Sequence, residues 1–250
     1  MKVAIITGAS RGIGRAIAVR LAADGISVVL SARDAARLAQ VVCEIESAGG
    51  QAAAIALDLR DAASAEHLTD FAQERFGGID ILINNAGATK RGEFTELSDE
   101  VWEDGFALKF FGAVRTSRAA WRHLKERRGS IVNIAGVGGR TPGPEFAIGG
   151  SVNAALLSLT KALADAGIRD GIQVNAVNPG PVRTDRLTAR LASQGGDPSV
   201  AEEQFVRASQ ITRIGEPEEI AGLVAFIVSP AGRLLHGALI DMDGGQTKTL

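Results

Sequence analysis

An α/β fold, with a parallel sheet covered by helices on both faces, follows from three observations on the 250-residue sequence. Short apolar runs of strand length alternate with longer amphipathic segments from end to end. The first run passes through a glycine-rich turn into a helical pattern. No Pro/Ser linker, charge block, repeat or low-complexity tract divides the chain. Strict alternation of this kind builds βαβ units, which return each strand parallel to the last and stack helices on both sides of a doubly wound sheet.

The strand-length runs are Val3–Ile6, Ser27–Leu30, Ala52–Leu57, Ile79–Ile83, Ser130–Ile134, Gln173–Val177 and Ala238–Asp241. Between them, Gly12–Asp24, Ala35–Ala48, Ala62–Phe76, Asp99–Lys125, Val152–Ala166 and Pro217–Val228 have helical spacing of apolar residues. One region breaks the pattern. From Thr184 to Gly215 the chain is polar, contains Gly195-Gly196-Asp197-Pro198 and has only weak helical character. A long insert after a strand predicts a substrate flap, at about 184–215, on a single domain spanning 1–250.

Composition narrows the function. An apolar fraction of 46% excludes a disordered chain. The 27 basic and 29 acidic residues, net charge −2, give no global field for nucleic acid or an anionic membrane. The single Cys43, expected to be buried within the second helix, excludes a disulfide framework and a thiolate zinc cluster and suits a reducing compartment. The longest apolar candidate, Ile220–Val228, is well short of the ~20 residues that span a bilayer, and Val3–Ile6 runs into Thr7-Gly8 rather than a cleavage site. A cytoplasmic protein without membrane or nucleic-acid partners is therefore expected. His67, His123 and His236 have no metal-ligand spacing and read as structural, so no metal is expected. Finally, the chain contains no Tyr at all, which excludes every mechanism that needs a phenol.

The end of the first strand predicts a dinucleotide site. In Thr7-Gly8-Ala9-Ser10-Arg11-Gly12-Ile13-Gly14, Gly8 allows the tight turn, Gly12 admits a pyrophosphate to the backbone, and Gly14 lets the helix pack against the sheet. The helix N-terminus adds free N–H donors, with Ser10 and Ile13 completing the turn. The second strand ends in Ser31-Ala32-Arg33 without the carboxylate that an NAD site places on the ribose hydroxyls. Arg33 and Arg11 together favour a 2′-phosphate, and so NADP(H) over NAD(H). Asp58 and Leu59 follow the third strand, and Asn85, Ala86 and Gly87 the fourth. Asp58 suits an adenine amino group or the cap of the next helix, and Asn85 and Gly87 suit the adenosine ribose or a turn.

With Asn178-Pro179-Gly180, Thr184 and Asp241-Met242-Asp243-Gly244-Gly245, these motifs resemble the classical short-chain dehydrogenase/reductases, from Lys2 to Gly245 in unbroken order. The resemblance implies a Rossmann-like seven-stranded sheet in the order 3-2-1-4-5-6-7. It also implies that Pro179, Gly180, Val182 and Thr184 lie against the nicotinamide, and that the chain is a homodimer or homotetramer built on Asp99–Lys125 and Val152–Ala166. The family's chemistry rests on Asn, Ser, Tyr and Lys, and the sequence departs from it at all four positions. Gly136 stands for Ser, Gly149 for Tyr, Asn153 for Lys and Lys109 for Asn.

The last two departures are an exchange. The family fold turns both positions toward one volume beside the nicotinamide, so Lys109 and Asn153 are expected to return an ammonium and an amide there, with Gly136 and Gly149 leaving room. Gly105, Gly112 and Ala113, at helical spacing from Lys109, predict a face packed against other backbone. A partly desolvated Lys109 can act as general acid or base near neutral pH. The plainer readings make Lys109 a surface or dimer-interface residue and Asn153 a helix-start residue bonded to backbone. Glu145, Ser151 and Arg140 lie in the stretch that crosses the family's substrate site.

Three functions follow from this sequence. The first is an NADPH-dependent oxidoreductase of a small carbonyl or alcohol, using Lys109. The second is an NADPH-binding sensor or silent partner without redox turnover. The third is a lyase or isomerase on the same scaffold.

Overall fold

The computed structural model describes residues 1–193, 195 and 197–248, so Gly196 of the predicted turn lies outside the described residues. Seven strands form one sheet: β1 (Val3–Thr7), β2 (Ser27–Ala32), β3 (Ala52–Ala56), β4 (Ile81–Asn84), β5 (Ser130–Ile134), β6 (Gln173–Pro179) and β7 (Leu239–Met242). Their order is β3-β2-β1-β4-β5-β6-β7, and every pairing is parallel. The inner strands are apolar on both faces because helices cover both, and β1, β4, β5 and β6 are buried along their whole length.

One layer holds α1 (Gly12–Ala23), α2 (Ala35–Ser47) and α9 (Pro217–Val228); the other holds α3 (Ser64–Phe76), α5 (Gly112–Arg127) and α6 (Ala147–Asp170). Local sequence sets the ends. Asp34 accepts from the Arg37 N–H at 3.0 Å to start α2, and Glu216 and Glu219 form a capping box around Pro217 to start α9. The chain changes direction in the sheet between β1 and β4. Their carboxyl ends therefore open a crevice where sheets of this class bind ligands.

Four expectations need correction. Asp99–Lys125 is not one regular helix: α4 (Asp99–Phe106) passes through a π-helical turn, Ala107–Phe111, into α5. The wider turn re-aims Lys109 relative to the helix that carries it. The weakly patterned insert is helical after all, as α7 (Asp185–Ala192) and α8 (Pro198–Ser209), whose Leu191, with Phe205 and Val206 beside it, packs on Ile211 and Ile214. Cys43 is exposed rather than buried. Leu38, Val41 and Ile45 form the buried stripe of α2, and Cys43 lies on the opposite side.

The fourth correction concerns α6. With its preceding turn, Pro144–Asp170 is long and apolar enough to span a bilayer, with a mean hydropathy of 1.3. In the fold it occupies a core position: Leu156, Leu157, Thr160 and Ala164 are buried as it runs beside β6.

Candidate active site

The turn after β1 is built as a cradle. Gly8 and Gly12 both have positive φ, +67° and +54°, which only glycine adopts without strain. A Cβ on Gly8 would stand 2.9 Å from the Ala86 Cα, and one on Gly14 would collide with the Gly8 carbonyl. Asn85 locks this arrangement: its Nδ2 donates to the Thr7 and Gly8 carbonyls at 3.0 and 3.2 Å. The Thr7 hydroxyl accepts from the Asn85 and Ala86 N–H groups at 2.9 and 3.0 Å. Asn85 thus ties β4 to β1.

The first turn of α1 has neither a side-chain cap from Arg11 nor an acidic residue, so Gly12, Ile13 and Gly14 present free N–H donors and the positive end of the helix next to Ser10. Thr184 closes the other side, its Cγ2 3.2 Å from where a Gly12 Cβ would lie. A Gly180 Cβ would stand 2.7 Å from the Asp243 Cα, so the Pro179-Gly180 turn and the strand after it are held close; Val182 is buried and bridges to Gly215.

The cationic edge lies beside this cradle. Arg11 reaches Asp185 at 3.8 Å, Arg33 reaches Asp58 at 3.9 Å, and both guanidiniums are more than half exposed. Arg37, which sequence reasoning missed, reaches Asp185 as well, at 3.9 Å. Asp58 does not cap the next helix. It accepts from the Arg60 N–H at 3.0 Å, and α3 begins only at Ser64. Leu59 is buried beneath α5, whose Arg115 donates to its carbonyl.

Lys109 and Asn153 meet. The Lys109 Nζ donates to the Asn153 Oδ1 and to the Ala135 carbonyl, each at 2.6 Å. Its methylenes lie against Gly87, where a Cβ would be 2.9 Å from the Lys109 Cδ. Burial, seconded by the Arg186 charge, pulls the ammonium down from 10.5 to about 7. Asn153 is buried within α6 rather than at its start, and its side chain bonds Lys109, not backbone, because α6 begins at Ala147 instead of Val152. The small face near Lys109 meets side chains at Gly105, which receives Ile148, and both side chain and backbone at Gly112, which faces the Leu59 Cβ and carbonyl.

A buried amide network fixes the two helices. The Asn84 Nδ2 donates to the Asn133 Oδ1 at 2.9 Å and to the Ser117 Oγ at 3.1 Å, and the Asn84 Oδ1 accepts from the Thr116 hydroxyl at 2.7 Å. The Asn133 Nδ2 donates to the Thr160 Oγ1 at 2.9 Å. Two central strands are thereby joined to α5, which continues from the Lys109 turn, and to α6, which carries Asn153.

The room expected at Gly149 is filled. A Cβ there would collide with the Phe146 ring, which also covers Gly138. At Gly136 a Cβ would stand 3.0 Å from the Asn153 Nδ2. The Arg91 guanidinium lies over the Phe146 ring, 4.2 Å from its centroid. Arg140 is committed elsewhere, to Asp241 at 3.0 Å, while Glu145 and Ser151 are exposed. His67 is exposed, His123 accepts from Arg122, and His236 bonds the Ala164 carbonyl. Among the described residues no group of His, Cys, Asp and Glu is arranged to hold a metal.

The sheet order and the crevice at its switch point define a Rossmann-type α/β protein. A family model described as enoyl-(acyl carrier protein) reductase matches residues 8–247. The short-chain reductase protein NovJ of Streptomyces niveus is 35% identical over 248 residues, covering 98% of this chain and 93% of its own. L-sorbose reductase from Gluconobacter frateurii, solved with NADPH and L-sorbose, superposes with a TM-score of 0.96 at 32% identity, over 100% of this chain and 97% of that one. An NADPH-bound short chain oxidoreductase from Pseudomonas aeruginosa, described as containing an atypical catalytic center, gives 0.93 at 29% identity over 100% and 98%. The chain belongs to the short-chain dehydrogenase/reductase family and is an oxidoreductase of that family.

Proposed function

We propose that the protein is an NADPH-dependent reductase of a small carbonyl compound in which Lys109 replaces the absent phenol as proton donor. The observation that carries this reading is the Lys109 ammonium, held at 2.6 Å by both the Ala135 carbonyl and the Asn153 amide oxygen and drawn down to about pH 7. An ammonium has three donors, and these bonds use two. The third remains for a substrate oxygen. As charge develops on that oxygen, the Lys109 N–H stabilises it and then transfers its proton. Asn153 is a positioning residue: it fixes the Nζ and keeps Lys109 from swinging outward.

The cradle fits the dinucleotide. The α1 N-terminus with Ser10 would hold the pyrophosphate, Arg11, Arg33 and Arg37 the 2′-phosphate, and Asp58 and Leu59 the adenine. Asn85, Ala86 and Gly87 would line the adenosine ribose, and Pro179, Gly180, Val182 and Thr184 the nicotinamide. When bound, NADPH supplies the hydride. The α7–α8 segment is the flap over that end, on a single domain. A homodimer, doubled to a tetramer, suits the exposed Phe94 and Phe111 and the hollow of about 420 Å³ lined by Trp102, Phe106 and Phe111 on α4 and the π-helical turn.

The purified protein is expected to oxidise NADPH across a panel of small aldehydes and ketones. Tight NADPH binding with no oxidation on any of them would leave the non-redox reading instead. Arg33→Ala should lower kcat/KM for NADPH about tenfold to a hundredfold, the loss of a charge-assisted contact, and leave NADH almost unaffected. An equal loss for both would remove Arg33 from the 2′-phosphate site.

The pH profile follows from the Lys109 charge. Reduction needs the ammonium, so its rate should fall as pH rises through about 7; oxidation needs the free amine and should rise over the same range. Asn153→Asp places a carboxylate against the ammonium and favours the charged form. The reductive limb should move about 1–3 units to higher pH. A profile that stays in place would show that another group titrates.

A further inference from the structure

The overall charge of the chain is −2, yet the rim of the Lys109 site is strongly basic. Arg91 comes from the loop after β4, and Arg186 and Arg190 from α7, so two separately folded segments bring three guanidiniums to one opening. Among the described residues no carboxylate lies within ion-pair distance of any of the three, whereas Arg11, Arg33, Arg37, Arg60 and Arg183 all have one. Arg186 donates instead to the Gly87 carbonyl at 3.0 Å, beside the Lys109 methylenes. Arg190 lies over the Phe205 ring, 5.6 Å from its centroid, and Arg91 over Phe146.

These charges repel one another. Desolvation, then the Arg190 and Arg186 charges, hold Arg91 below its ordinary range, with Glu145 as the opposing acid; desolvation and Arg11 do the same to Arg186. Gathering unpaired guanidiniums over a lysine raises the energy of the free protein, and an anion in the opening lowers it. Arg186 faces Arg11 on the dinucleotide side, so the cofactor phosphates account for it in part. Arg91 and Arg190 lie farther out. Phe146, which lies under Arg91, also lies against Gly149, one helical turn before Asn153, so Arg91 stands beside the part of α6 that carries the Lys109 partner.

Resting on the reductase reading above, we infer that the substrate is a carbonyl compound bearing a carboxylate, which Arg91 and Arg190 bind beside Phe146 while Lys109 faces the carbonyl oxygen. The guanidinium fork matches a carboxylate in two parallel hydrogen bonds. No bond is made or broken at this subsite; its contribution is orientation.

The test pairs para-carboxybenzaldehyde with its methyl ester, identical but for the charge. The acid should show at least a tenfold higher kcat/KM than the ester, and Arg91→Gln with Arg190→Gln should reduce that ratio about tenfold or more through KM. Equal kcat/KM for acid and ester would overturn the inference while leaving the reductase reading intact. Calorimetry with terephthalate, which cannot be reduced, gives a second measure on the NADP+-loaded protein. Binding that weakens with salt and is lost in the Arg91→Gln, Arg190→Gln double variant supports the anion site even where neither aldehyde is turned over. Terephthalate binding that is absent, or unchanged in the double variant, would overturn it.

Discussion

Lys109→Met should lower kcat for carbonyl reduction roughly a hundredfold to ten-thousandfold while leaving the affinity for NADPH near its original value. Methionine keeps an unbranched chain of similar length, so the packing against Gly87 is retained and the lost group is the ammonium. The Ala135 carbonyl and Asn153 Oδ1 lose their donor, an expected cost of about 1–3 kcal/mol. Removing a desolvated cation offsets part of this. The measurement is single-turnover NADPH oxidation, with cofactor affinity followed in parallel and folding checked by thermal melt. A folded variant with unchanged turnover would take Lys109 out of the mechanism. A residual rate is expected even so, because orientation and charge stabilisation survive without the proton donor.

Asn133→Ala should destabilise the protein by roughly 2–3 kcal/mol, seen as a fall of about 5–10 °C in Tm. Asn133 is fully buried in β5 and bonds both Asn84 on β4 and Thr160 on α6. Its removal leaves an Asn84 amide hydrogen unpaired in a dry interior and opens a cavity between the sheet and α6. Turnover should fall as well, because the network sets the spacing of Lys109 and Asn153 across two helices. A variant with native Tm would show that the network has no structural weight. One with lowered Tm but unchanged kcat would show that helix placement is set elsewhere.

Much of the fold was legible because β1, β4, β5 and β6 are short apolar runs between helical periods, and those two spacings dictate a parallel sheet. The glycine-rich turn was legible too, since positive φ at Gly8 and Gly12 demands the residue type. The π-helical turn was not. It is a change in backbone hydrogen-bond register, and Ala107–Phe111 carries no side-chain period to announce it. Phe146 was missed because room at Gly149 was inferred from the missing side chain alone, whereas a ring from the preceding turn moved in. Arg37, Arg91 and Arg186 were missed because a lone arginine reads as solvated surface until the fold shows what it faces. Cys43 was readable in hindsight. About 100° per residue places it some 200° from Val41, outside the Leu38–Val41–Ile45 stripe. Lys109 and Asn153 were legible only as a pair, through the exchange of two residue types at two positions.

The filled volume at Gly149 has a chemical consequence. A tyrosine restored there would meet Phe146, a serine at Gly136 would have to adopt φ of +148° against the Asn153 amide, and Lys109 would still occupy the opposite helix. On the mechanism proposed above, introducing phenol chemistry at this site would require changes at Gly136, Phe146, Gly149 and Lys109 together.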